Sequence, residues 1–179
     1  MKGRRFLFMV MPTGGIVKFL IGDMVMHWTY GLGEIVGLEE RELSGRTILY
    51  YSVRVHDLTV WVPADDNLGN RLRPPTPADR FDQLFTILTG DGEPLPENRQ
   101  ERKTWLAGQL SDGRAESLCR VIRDLSAYQR QKTLNENDHL LLKRVQNSLL
   151  GEWGFSLSIS AAQAQSGLYH LLQSGTAGD

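Results

Sequence analysis

The chain has 179 residues, 41% of them hydrophobic and 23% charged, with a formal net charge of −1. That balance fits one ordinary globular domain or two small ones and excludes global disorder. The single cysteine, Cys119, excludes an internal disulfide and a thiolate-rich zinc site, and it fits a reducing, cytoplasmic compartment. Cys119 sits between Leu118 and Val121 in an amphipathic run, the place of a small buried hydrophobe and not of a nucleophile.

At the N-terminus, Lys2, Arg4 and Arg5 precede an apolar run from Phe6 to Met11 that Pro12 and Gly14-Gly15 interrupt. The run is shorter than a signal-peptide core and far shorter than a membrane span. Residues 1–17 are therefore read as a flexible leader, with Met9 and Met11 as alternative starts.

From Phe19 the pattern is that of short strands. Met24, Met26 and Trp28 alternate with Asp23, Val25 and His27; Gly31 and Gly33 bracket a turn, and a second strand runs from Leu32 to Leu38. Leu43-Ser44-Gly45-Arg46 reads as a hairpin turn, Ile48 to Val55 as a third strand and Leu58 to Val62 as a fourth, ended by Pro63. Short strands so closely spaced make a small barrel or a strongly bent sheet.

Pro74, Pro75 and Pro77 mark a boundary, with Thr76 as an N-cap and Pro77 at the first helical position. Five helices are expected beyond it. Phe81, Leu84, Phe85 and Leu88 line the first, which Gly90 closes, and the second runs from about Glu97 to Leu110. Leu118, Val121, Ile122, Leu125 and Tyr128 give the third a clean apolar stripe. Asn135 caps the fourth, and Ser160 with Gln163 forms a capping box for the last.

Charge is unevenly spread. Residues 19–66 hold eight acidic and three basic side chains, whereas 95–147 hold ten basic and seven acidic. This asymmetry suggests two modules with different partners, the second suited to an anion such as nucleic acid; two solvated surfaces would show the same composition.

No catalytic constellation is visible. Gly31-Leu32-Gly33 continues into Glu34-Ile35-Val36 as a strand, whereas a dinucleotide loop must open a helix. The four histidines, His27, His56, His139 and His170, lack metal-ligand spacing, and no nucleophile, base and orienting group stand in motif context. Two binding features remain. Arg99, Arg102 and Lys103 fall at i, i+3 and i+4, one helix face that could grip phosphates or, salted with Glu97 and Glu101, could simply be solvated. Trp61 shares a strand side with the polar Thr59, so that side is read as the outer one and Trp61 as an exposed protein-interaction anchor.

Gly22-Asp23-x-Val25, Tyr30-Gly31-x-Gly33, Gly45, Tyr50-Tyr51 and Val62-Pro63 resemble, in order and spacing, the N-terminal domain of the CarD/CdnL bacterial transcription regulators, which transcription-repair coupling factors share. Leu110-Ser111-Asp112-Gly113, Val121-x-Arg123-Asp124-Leu125 and Leu149-Leu150-x-Glu152 resemble the family's helical domain. The likeness runs from about Phe19 to Leu172.

The resemblance implies an α+β protein of two domains: a Tudor-like antiparallel β-barrel over 18–73 that binds the RNA polymerase β subunit, and an all-α bundle of about five helices over 74–175 that contacts promoter DNA at the upstream edge of the bubble. Arg41 falls where the family has a polymerase-contacting arginine, and Trp61 where it has another polymerase-facing residue; Thr59, beside Trp61, completes the expected polymerase-binding set. In the family a tryptophan wedges into the minor groove and steadies the open complex, within a Trp, any residue, Arg, Arg motif. Here those positions read Arg99-Gln100-Glu101-Arg102, so the tryptophan is absent and one arginine is acidic; a further basic position is His139. The expected DNA-binding set is Arg99, Arg102 and Lys103, with the contact altered or weakened, since arginine suits a narrow minor groove but does not unstack bases as an indole does. The expected protein is a monomeric, non-enzymatic regulator without cofactor, metal or membrane partner. The alternative is a polymerase-docking adaptor that has lost the wedge and recruits another partner.

Overall fold

The structure is a computed structural model that describes residues 18–175 apart from Ser44. The expected leader over 1–17 and the Ser44 position of the expected hairpin turn lie outside the described residues.

Strands β1 (Met24–His27), β2 (Gly31–Leu43), β3 (Arg46–Val55) and β4 (Leu58–Pro63) form an antiparallel meander. A single helical turn, α1 (Leu68–Arg71), leads into β5 (Leu72–Arg73), which pairs with β1, so the strand order is β4-β3-β2-β1-β5. The expected closed barrel is therefore corrected to an open sheet. The two edges differ: β5 is two residues long and runs into Pro74, while β4 is six residues long and ends on Pro63.

One face of the sheet carries Val25, Ile35, Tyr51, Val53, Val55 and Val62, closed by Phe19, Leu68 and Leu72 into a small core. The Tyr51 hydroxyl accepts from the backbone N–H of Lys18 (2.8 Å) and Phe19 (3.2 Å), which holds the chain's entry across this core. A β-bulge between Ile35 and Gly37 shifts the β2–β3 register by one residue.

Two local expectations change. Gly33 is not in a turn; it pairs with Val25 in the ladder, and a Cβ there would lie 2.7 Å from Val55 Cγ2 and 2.9 Å from the Arg54 carbonyl. The turn occupies residues 28–30 and ends on Gly31, whose φ of +81° favours glycine. The alternation expected for β1 does not separate a buried side from an exposed one, because Val25, Met26 and His27 are all buried. The helical part of the chain covers the strand's second face: Gly31 meets Ser148, and Trp28 meets Gly113.

The five expected helices are present as α2 (Phe81–Leu88), α3 (Arg99–Gln109), α4 (Ala115–Gln131), α5 (Glu136–Leu157) and α6 (Ala161–Ser174). Asn135 and Ser160 cap α5 and α6 as the sequence implies, the latter through a complete capping box with Gln163. Thr76 does not cap a helix. Pro77 instead precedes a short 3₁₀ turn, Ala78–Arg80, with no side-chain cap, and the Thr76 N–H donates to Glu152 at 2.7 Å. The α4 stripe of Leu118, Val121, Ile122 and Leu125 packs with Leu142, Val145, Leu149 and Trp153 of α5 in a second, larger core. Each such side chain contributes about 1.5–3 kcal/mol by leaving water. No helix among the described residues is long and apolar enough to cross a membrane.

Candidate interaction surfaces

The outer face of the sheet carries the first surface. Register places Glu39 beside Tyr50, Arg41 beside Ile48, Ser52 beside Trp61 and Arg54 beside Thr59. Trp61 is 48% exposed, as its polar neighbours imply, and Thr59 is exposed. The Arg41 guanidinium lies over the Trp61 ring, 4.3 Å from its centroid, while its Nη2 bonds Glu39 Oε2 at 3.3 Å. Ser52, beneath this pair, is buried and donates to Glu39 Oε1 at 3.4 Å. The fold thus gathers Arg41 and Trp61 into one amphipathic patch, a planar cation over an exposed indole, with Thr59 two residues along β4 on the same side.

The second surface, on α3, divides the expected cationic trio. Asn98 caps the helix by accepting from the N–H of Gln100 and Glu101. Arg99 and Lys103 are exposed and have no ion-pair partner among the described residues. Arg102 is 3% exposed and fully engaged: its Nε bonds Asp138 Oδ2 at 2.7 Å, its Nη1 bonds the carbonyls of Pro96 and Glu97, and its guanidinium stacks on Tyr128. A guanidinium so placed anchors α3 to α4 and α5 and is not presented to solvent, so the exposed face contracts to Arg99 and Lys103. Lys132 pairs with Glu97 nearby; this pairing lowers the carboxyl and raises the amine in pKa. Trp105 is half-buried against the helical core.

Sequence reasoning missed the residues that join the two cores. Glu152 on α5 is fully buried and accepts from both terminal nitrogens of Arg73 on β5, at 2.5 and 2.9 Å. Arg73 Nε also bonds the Gly113 carbonyl at 2.7 Å. A glutamate one step from Trp153, on the stripe that carries Leu149, was the available signal, because a carboxylate on an apolar stripe needs a partner. His27 has a local role that its sequence position did not show: its Nδ1 accepts from the N–H of Thr29 (3.1 Å) and Tyr30 (3.2 Å), and burial drives its pKa down to about 4, so the ring stays neutral and holds the turn. Asp124, buried on α4, fixes the loop before α3 by accepting from the Glu93 N–H.

An open cleft of about 670 Å³ separates the β1–β2 end of the sheet from α5. No group of three or more histidine, cysteine, aspartate or glutamate side chains that could hold a metal occurs among the described residues. Burial, with smaller contributions from Glu152 and Glu116, pushes the Cys119 thiol up, away from the reactive thiolate.

Family models agree with this architecture. Residues 19–74 match the CarD-like/TRCF RID domain, and residues 83–169 match the CarD C-terminal domain. The chain is 26% identical over 151 residues to the "Putative transcription factor YdeB" of Bacillus subtilis (strain 168), covering 83% of this chain and 98% of that one. With one domain model on the sheet and the other on the helices, in the family's order, the chain belongs to the CarD-like family of transcription regulators.

Proposed function

We propose that this regulator docks on the β subunit of RNA polymerase through the outer face of its sheet and acts on promoter DNA through its helices, stabilising the open complex. The observation that carries the reading is the stacked Arg41–Trp61 pair, exposed on the segment that matches the CarD-like/TRCF RID domain. Tryptophan and arginine are enriched at protein interfaces, tryptophan because it buries a large area with two rotors and arginine because its planar fork bonds at two points. Thr59 extends the contact along β4. Arg99 and Lys103 are the DNA-facing residues, each adding one salt-sensitive phosphate contact. Without an indole at Arg99, they hold the duplex without unstacking it.

Co-purification with core polymerase and capture by an isolated β-subunit lobe test the docking. Arg41→Glu and Trp61→Ala are each expected to reduce capture at least tenfold; undiminished capture by both variants overturns it. The DNA role is tested by open-complex lifetime on a promoter template. Arg99→Ala with Lys103→Ala is expected to shorten it, and an unchanged lifetime in the presence of bound protein favours the adaptor reading, which the withdrawal of Arg102 from the exposed face also supports.

A further inference from the structure

The cleft between the sheet and α5 has the size and the placement, at a junction of two cores, that ligand sites favour. One wall is the side of α5 opposite Leu142, Val145 and Leu149, and it presents Leu140, Lys143, Arg144 and Asn147. Lys143 and Arg144 are exposed and without a hydrogen-bond or ion-pair partner among the described residues. On the facing wall the one carboxylate of the lining, Glu34, is already bonded to Arg54 at 2.6 Å. The lining therefore keeps two uncompensated positive charges.

Tyr30 supplies the other half of a site. It lines the cleft with its side chain 48% exposed, and its ring is backed by the His27 imidazole at a centroid distance of 5.0 Å. His27 in turn holds the Tyr30 backbone through Nδ1. An aromatic ring fixed in this way, across from free cations, is the pairing by which proteins bind unpaired nucleotides: bases stack on the ring while phosphates meet the cations.

Length favours a strand over a single nucleotide. Along α5 the lining runs from Leu140 to Gly151, about 16 Å at a rise of 1.5 Å per residue. A fully stacked DNA strand advances about 3.4 Å per nucleotide, so the cleft spans at most about four to five nucleotides, and fewer of an unstacked strand. An acidic peptide would satisfy the cations but would leave the aromatic platform unused.

We infer that this cleft binds a single-stranded segment of DNA, with phosphates on Lys143 and Arg144 and an unpaired base on Tyr30. The inference rests on the reading above that promoter DNA is a partner of the helices. Arg54, which lines the cleft, is the register partner of Thr59, two residues from Trp61 on β4. A strand seated there would lie beside the docked polymerase.

The test is fluorescence anisotropy of the full chain with a labelled 12-nucleotide dT strand and a 12-base-pair duplex across a salt series. Lys143→Ala with Arg144→Ala should weaken strand binding about tenfold near 0.1 M salt and lower the salt slope by about 1.4, at about 0.7 per lost phosphate contact. Tyr30→Leu should weaken strand binding fivefold or more, since stacking is worth about 1–3 kcal/mol per base, and should leave the salt slope and duplex binding unchanged. Strand binding by these variants at the parent's affinity overturns the inference, as does binding of ATP without the strand or of poly-glutamate as tightly as the strand. Arg99→Ala with Lys103→Ala separates the two readings. If that pair alone lowers DNA binding, the cleft inference fails and the DNA reading stands; if no form binds either DNA, both fail.

Discussion

The Arg41 guanidinium stacks 4.3 Å from the centroid of the Trp61 ring, although their strands, β2 and β4, are separated by β3. The bulge between Ile35 and Gly37 makes this possible. Unbroken alternation would put Arg41 on the same side as the buried Ile35; the extra residue turns Arg41 outward to the side of Ser52 and Trp61. An exposed pair of this kind contributes only about 0.5–1 kcal/mol to stability. Trp61→Ala and Arg41→Ala should therefore move the urea midpoint little, with a coupling energy below about 1 kcal/mol in a double-variant cycle, while lowering polymerase capture sharply. A large stability loss in either variant would show that the pair is structural instead.

The Arg73–Glu152 pair fixes how the sheet meets the helices. Glu152 is fully buried and its two oxygens satisfy Arg73 and the Thr76 N–H together. Removing one member of a buried pair costs about 3–5 kcal/mol, because the other charge is left without compensation. Arg73→Met is expected to destabilise by that amount in chemical denaturation. The double variant Arg73→Met/Glu152→Leu should recover much of the loss, since it leaves no buried charge. Simple additivity of the two single losses would contradict this account.

Arg102 and Arg99, three residues apart, should behave oppositely. Arg102→Ala deletes four hydrogen-bonded or stacked contacts and leaves Asp138 buried with Asn135 as its one side-chain partner among the described residues; a loss of about 3 kcal/mol or more is expected. Arg99→Ala should leave the melting temperature unchanged within about 1 °C, since surface changes away from such features stay within about 0.5 kcal/mol. Equal melting temperatures for the two variants would refute the assignment of Arg102 as an anchor.

His27 makes stability depend on pH. Its folded pKa, about 4 against an ordinary 6.5, means that the unfolded chain binds more protons between these values, so stability rises with pH there. The contribution is fully present above about pH 6.5 and is lost as pH falls toward 4, by at most about 1.4 kcal/mol per pH unit. His27→Asn keeps an acceptor for the turn N–H groups without a titrating ring. Its urea midpoint should fall less between pH 7.5 and pH 5 than the parent's, and parallel falls would remove His27 as the cause.

Local order was legible in the residues themselves. Leu118, Val121, Ile122 and Leu125 recur at helical spacing and are buried as expected, Asn135 and Ser160 cap where short polar side chains meet free N–H groups, and Trp61 is outward because Thr59 shares its side. These features depend on neighbours within a turn or a strand, so sequence alone determined them. Features that depend on distant packing were not legible. The one-residue bulge that turns Arg41 toward Trp61 left a single weak mark, Gly37 inside a strand pattern, and that glycine does not say which residues turn outward. Gly33 looks like turn chemistry, but Val55 and the Arg54 backbone, across the sheet, require the absence of a Cβ there. Arg102 sits at the same spacing as two solvated cations, and only the approach of Asp138 and Tyr128 from other helices withdraws it. Tertiary structure likewise decided that the sheet stays open and that α5 stands across from Tyr30 to form the cleft. The physical reason is common to all of them: periodicity fixes which side of an element a residue occupies, but the element packed against that side comes from elsewhere in the chain.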